Sequence, residues 1–249
     1  MTSYSQAVSF RLSGSVAHFR KFYTNASAMS YGIPPRTVIS GMMASILEIP
    51  RDGYYQLFSP DHISVAVRVN QPFKRVMQSI NNLSEKYYEL LIGKNGNPQH
   101  KATKVELLTG INKKAFSWDV ILAFPKAEKH WETLVEKILS GDMGYGLYFG
   151  QRQYRANLDN VQILKPETWI FHQEGPFCDW AFRREQAHSY QVLPPLHIEM
   201  DIIPRQMKTD TKGRLLESSD YFVYEQNGHR INGQFFQVWE TEYGNVTFI

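Results

Sequence analysis

The chain has 249 residues, 43% hydrophobic and 20% charged, with a formal net charge of +3. That is the composition of a folded chain with a sizeable core. A single cysteine, Cys178, excludes an internal disulfide and any multi-cysteine metal centre. The start, MTSYSQAVSF, lacks the basic and apolar blocks of a signal peptide, and no apolar run approaches the roughly 20 residues of a membrane helix. A cytoplasmic protein without membrane partners is expected.

Charge is unevenly spread. Residues 1–124 hold 14 basic and 7 acidic side chains, whereas residues 125–249 hold 13 and 17. The first acidic residue is Glu48. One half suits a polyanion and the other suits protein or solvent.

In chain order, Ala7 to Leu12 alternates as a strand does, and Gly14 breaks it. Residues 15–33 are too long for a tight turn and read as a functional or ordering loop. Pro35 fits the first position of a helix, whose apolar stripe is Val38, Ile39, Met42, Met43, Ile46 and Leu47. His62 to Val69 is a second strand. Residues 70–104 carry six Lys/Arg against two Glu and read as a basic protrusion, a hairpin or helix-bearing arm. Val105–Leu108 and Phe116–Phe124 read as two strands joined by a turn near Asn112. Pro125 opens a second helix with the core stripe Trp131, Leu134, Val135, Ile138 and Leu139, capped by Gly141. A strand at Val161–Leu164 follows.

This order predicts an α+β fold, a ferredoxin-like β-α-β-β-α-β domain over residues 1–165 with a basic thumb-like insertion at about 70–104. Residues 166–249 read as a β-rich region with turns at Pro194-Pro195, Lys212-Gly213, Asn227-Gly228 and Asn232-Gly233.

Cations interleaved with rings suit single-stranded nucleic acid, since Arg and Lys hold phosphates while rings stack on bases. His18, Arg20, Lys21 and Tyr23 form the leading group, with Phe19 and Phe22 assigned to the core. Arg36, in the first turn of the first helix, suits an anion at the positive helix end or a carboxylate or carbonyl partner. Lys94, Lys101 and Lys104, with His100, charge the arm. Gly144, Gly146 and Gly150 allow close backbone approach, and Arg152 and Arg155 offer phosphate contacts; plain turn glycines explain the same residues equally well. A metal-independent ribonuclease would need groups such as Tyr31, His100 and Lys101, or Lys129-His130, to move protons at a 2′-hydroxyl and a leaving oxygen. No carboxylate pair, nucleophile elbow or metal-ligand cluster stands out, so no cofactor or metal is expected.

The run Leu12-Ser13-Gly14, Ala17-His18-Phe19-Arg20-Lys21, Tyr31, Pro34-Pro35-Arg36-Thr37, Gly41 and Ile46-Leu47 resembles the N-terminal signature of the CRISPR-associated family-five RAMP proteins. The form is closest to the type I-B branch. Val105–Leu108 and Tyr148-Phe149-Gly150-Gln151-Arg152 are similar to later landmarks of that family. The resemblance implies a ribonucleoprotein subunit of the Cascade surveillance complex in antiviral defence. It implies a ferredoxin-like domain, a thumb at residues 70–104 and a variable β-rich end. Its partners would be the 5′ handle of the crRNA, the large subunit and the backbone subunits, with target DNA met indirectly. Relatives in another subtype process precursor crRNA themselves. Three readings therefore follow: a non-catalytic RNA-binding subunit, a metal-independent endoribonuclease, and a scaffold that binds only protein.

Overall fold

A computed structural model describes residues 3–25, 27–82, 101–211 and 213–249. Four strands form the central antiparallel sheet: β1 (Gln6–Gly14), β3 (Ser64–Gln71), β6 (Phe116–Phe124) and β7 (Asn157–Leu164), in the order β3-β6-β1-β7. Helix α1 (Arg36–Ile46) lies in the chain between β1 and β3, and helix α2 (Lys129–Ser140) between β6 and β7. The α1 stripe buries Ile39, Met42, Met43 and Ile46, and that of α2 buries Trp131, Leu134, Val135 and Ile138. Leu139, expected in the core, is exposed because it falls one position past that stripe. Gly141 ends α2 in the left-handed region at φ 77°, where glycine carries no Cβ penalty.

The two sheet faces meet different partners. Phe10, Leu12, Val67, Trp118, Val120 and Leu122 pack in one core with both helices. On the other face Ala7, Ala66, Ile121 and Ala123 pack with Cys178, Trp180, Phe182, Phe235 and Val238. Three of those four sheet residues are alanines, so a second layer can approach closely. Covered on both sides, β6 is buried along its full length, which explains its unbroken apolar run.

The second layer comes from residues after 166. Strands β8 (Ile170–Cys178), β10 (Ala187–Tyr190), β13 (Ile231–Thr241) and β14 (Gly244–Val246) form one sheet. Strands β9 (Phe182–Arg183), β11 (Ile198–Asp210) and β12 (Gly213–Glu225) form another. The β11–β12 hairpin reaches past this layer to the helical side, where Ile203, Phe222 and Tyr224 join the helix-covered core. Its far end is pinned by Arg214 Nη2 donating to Asp52 Oδ1 at 2.8 Å.

Val105–Leu108 is a strand as expected, part of β5 (Lys101–Gly110), which pairs with β4 (Phe73–Asn82) and the short β2 (Val16–Ala17). Two local expectations are corrected. Pro125 does not open α2, which starts four residues later at Lys129. Asn232-Gly233 is not a turn; it lies inside β13, where the register shifts before Phe235. The extra residue is absorbed as a bulge.

β4 and β5 form a two-stranded ribbon with an unbroken ladder from Phe73↔Gly110 to Asn82↔Lys101, roughly 30 Å long at strand spacing. It occupies the start and end of the sequence-predicted arm; residues 83–100 lie outside the described ones.

Candidate nucleic-acid interface

The loop after β2 is stitched onto the ribbon. Ala28 bridges Val105, with Ala28 N–H donating to Lys104 O at 2.9 Å and Glu106 N–H donating to Ala28 O at 2.8 Å. The Glu106 carboxylate accepts from Ser30 N–H at 2.9 Å and from Arg75 Nη1 at 3.2 Å. Arg75 continues to Glu199 on β11, at 2.6 and 2.8 Å. One ion-pair network therefore ties loop, ribbon and the β11–β12 hairpin together.

Within this frame the predicted contact residues separate. Arg20 is exposed and has no ion pair among the described residues. Tyr23 is 47% exposed, and its hydroxyl bonds Asp201. Burial and the Asp201 carboxylate both push that phenol above its ordinary range. Lys21 is largely spent: its Nζ lies 2.5 Å from Asp201 Oδ2 in a mostly enclosed pair. Two assignments invert. His18, expected to stack on bases, is 2% exposed, and its Nδ1 sits 2.8 Å from Glu106 O. A carbonyl only accepts, so Nδ1 carries the proton, and burial lowers the ring's pKa below 6.5. Phe22, assigned to the core, is 47% exposed and packs edge-on against Tyr23.

Arg36 also departs from expectation. It is 2% exposed, with Nη1 donating to Phe58 O at 2.8 Å and Nη2 to Ile63 O at 2.7 Å. The guanidinium holds the chain between α1 and β3 and does not reach solvent. Burial, then repulsion from Arg205, pulls its pKa down to about 9, so it remains charged at neutral pH. Lys104 is exposed on the ribbon, opposite Ser79. Lys94 and His100 lie outside the described residues; Lys101 starts β5. Arg152 and Arg155 are exposed. Of the nuclease candidates, Tyr31 is buried, donating to Ile202 O at 2.9 Å, and burial raises its phenol well above the ordinary value. It is not placed to take a proton from a ligand.

The structure adds a feature. Between α1, the segment after it, the 145–150 turn and the tip of β11–β12 lies an open groove of about 650 Å³. Tyr54, Tyr55, Tyr145 and Tyr148 stand in its walls, with Arg51 and Arg214 among its lining. The turn is clamped to α1 by Ser45 Oγ donating to Gly146 O at 2.9 Å and Tyr145 N–H donating to Ser45 O at 3.2 Å. Gly150, at φ 82°, lies so close to His18 that a Cβ would stand 2.0 Å from its carbonyl oxygen. Among the described residues no group of three or more His, Cys, Asp or Glu side chains is arranged to hold a metal ion. No helix there is long and apolar enough to cross a membrane.

No protein-family model matches the chain, and no curated protein matches it by sequence. Solved structures do. A chain of a CRISPR RNA-guided surveillance complex superposes with a TM-score of 0.55 at 12% identity, covering 92% of this chain and 91% of that one. A CRISPR protein from Archaeoglobus fulgidus superposes with a TM-score of 0.57 at 10% identity, covering 97% and 98%. The chain shares the fold of these CRISPR proteins. At such identities the likeness concerns the whole-length backbone and not the side chains of any site.

The groove escaped sequence reasoning because its walls come from four separate segments. Only the glycines at 144, 146 and 150 signalled it. The exposed ring of the 18–31 loop escaped for another reason: Phe and His alternate there without a period, and a carbonyl on β5 holds His18 inward.

Proposed function

We propose that this chain is a non-catalytic RNA-binding subunit of a type I CRISPR surveillance complex. In this reading it is a type I-B-like family-five RAMP protein that caps the 5′ handle of crRNA and contacts the large and backbone subunits. Its central domain is read as ferredoxin-like, a reading supported by the sheet order β3-β6-β1-β7 with helices after its first and third strands. The full-length likeness to a chain of an RNA-guided surveillance complex supports the setting.

One observation carries the RNA assignment. The 18–31 loop is sewn to β5, so exposed Arg20, Phe22 and Tyr23 lie beside the ribbon that bears exposed Lys104. Unpaired cations beside open rings can hold a single strand by its phosphates and its bases. The ribbon supplies a thumb that can cross that strand. The enclosed Tyr31 supports a non-catalytic role.

Co-expression with repeat RNA tests this. The purified protein should carry a discrete RNA with a constant 5′ end, and Arg20→Ala with Lys104→Ala should strip it, with a reduced salt slope. RNA content unchanged in that variant refutes the assignment. Repeat RNA cut once at a defined site in EDTA refutes the non-catalytic part.

A further inference from the structure

The tyrosine-walled groove is not used by the loop-and-ribbon surface, yet it has the attributes of a ligand site. Its size lies in the range of small-molecule and nucleotide pockets. Tyr145 is 68% exposed and Tyr148 is also open, so both rings offer free faces. Val38, Met42 and Ile49 contribute apolar lining.

Cations outnumber the carboxylates around it, Asp52 and Asp220. Arg51 is mostly exposed and lies 3.6 Å from Asp52. The Arg155 guanidinium lies over Gly146, 3.4 Å from where a Cβ would stand, and has no ion pair among the described residues. Beneath the groove, Arg36 and Arg205 line a crevice that shares Thr37, Tyr55 and Met207 with it. The Nε atoms of both are buried with no hydrogen-bond partner; Arg205 lies 3.7 Å from Asp220, and Arg36 forms no ion pair among the described residues. Asp52 is already engaged by Tyr55 and Arg214. Open rings, an apolar floor and Arg155, a cation with no carboxylate partner among the described residues, suit a ligand that is flat and anionic at once.

We propose that this groove seats an unpaired nucleotide of a single-stranded RNA, its base on Tyr145 and Tyr148 and its phosphates on Arg51 and Arg155. The site adjoins the first one. Gly150 lines the groove and presses on the His18 carbonyl, two residues from Arg20. Strand β11 connects them too, with Asp201 holding Tyr23 at one end and Met207 in the groove wall, roughly 20 Å further on. One RNA strand can therefore leave the loop and enter the groove. The proposal rests on the reading that RNA is the ligand of this chain, and the experiment below separates the two.

The full-length protein is titrated with a fluorescent single-stranded RNA and read by anisotropy. Tyr145→Ala with Tyr148→Ala should weaken binding about tenfold or more, given roughly 1–3 kcal/mol per stacked base. Tyr145→Phe with Tyr148→Phe should bind as wild type, because the rings remain. Arg155→Ala should weaken binding and lower the salt slope by about one. RNA carrying 4-thiouridine should crosslink within residues 141–155. Full affinity in the double alanine variant, with affinity lost in Arg20→Ala, overturns the groove while leaving the loop assignment intact. Wild-type protein that binds no RNA sinks both. Free UMP displacing the RNA at equal affinity, or crosslinks confined to other segments, overturns the proposal in favour of a mononucleotide or a protein occupant.

Discussion

The loop from residue 18 to 31 and the first turn of α1 stand a few residues apart, and both set cations among aromatic rings. In the loop, Arg20 is exposed with no ion pair among the described residues, and its neighbours Phe22 and Tyr23 stay open. In the helix, Arg36 is enclosed and grips two backbone carbonyls of the segment leading to β3. Lys21 falls between them, largely spent on Asp201. The same residue type thus serves binding at one place and architecture at the other. What separates them is whether unsatisfied backbone oxygens lie within reach: Phe58 O and Ile63 O need donors, and a buried acceptor left alone is costly.

Substitutions can break that contrast. The largest effect is expected at Arg36. Arg36→Ala leaves two carbonyls without donors and opens a cavity, for a loss of about 3 kcal/mol or more in a urea titration. Arg36→Lys should not restore it, since one ammonium lacks the fork that reaches both oxygens. A stability change under about 1 kcal/mol would place Arg36 with the binding residues after all. Next comes Lys21→Ala, which strands Asp201 beside β11 and should cost about 1–2 kcal/mol. Adding Asp201→Asn should recover part of this in a double-mutant cycle.

A smaller, pH-dependent effect is expected at His18. Its folded pKa is depressed by burial, so on acidification the unfolded chain takes up a proton near pH 6.5 while the folded chain does not. Stability should hold above that pH and fall below it, and His18→Gln should flatten the slope between pH 7.5 and 5.5. Equal slopes in both proteins would show that the ring titrates freely. The smallest stability effect belongs to Arg20→Ala, within about 0.5 kcal/mol, with loss of RNA as its signature.

Much of the scaffold was legible in the sequence because it follows periods. The stripe of α2 named all four buried positions and added the exposed Leu139; that of α1 named Ile39, Met42, Met43 and Ile46 but missed Arg36, Ser40 and Ala44, which are small or polar, and added the partly buried Val38 and Leu47. Pro35 marked the start of α1 and Gly141 the end of α2, whereas Pro125 stands four residues before α2 begins. The alternation of β1 and the unbroken run of β6 reflect one or two covered faces. Element order named the two helices and the four strands of the central sheet, but not the order in which those strands pair. The site was less legible. The inward place of His18 depends on the Glu106 carbonyl, which lies 88 residues away. The inward turn of Arg36 depends on two carbonyls more than 20 residues away. The groove needs the β11–β12 hairpin to arrive over α1, and no local pattern encodes how far a hairpin reaches.

Glu106 has a mechanical consequence. Its N–H, its carbonyl and its carboxylate each hold a different residue of the 18–31 loop: Ala28, His18 and Ser30. Arg75, opposite Leu108 on the ribbon, joins the same carboxylate and runs on to Glu199. The ribbon therefore acts as a lever with its fulcrum at this glutamate. A neighbour that grips the distal end and swings it must turn the loop by the same motion, so the posture of the arm and the aim of Arg20 are set together.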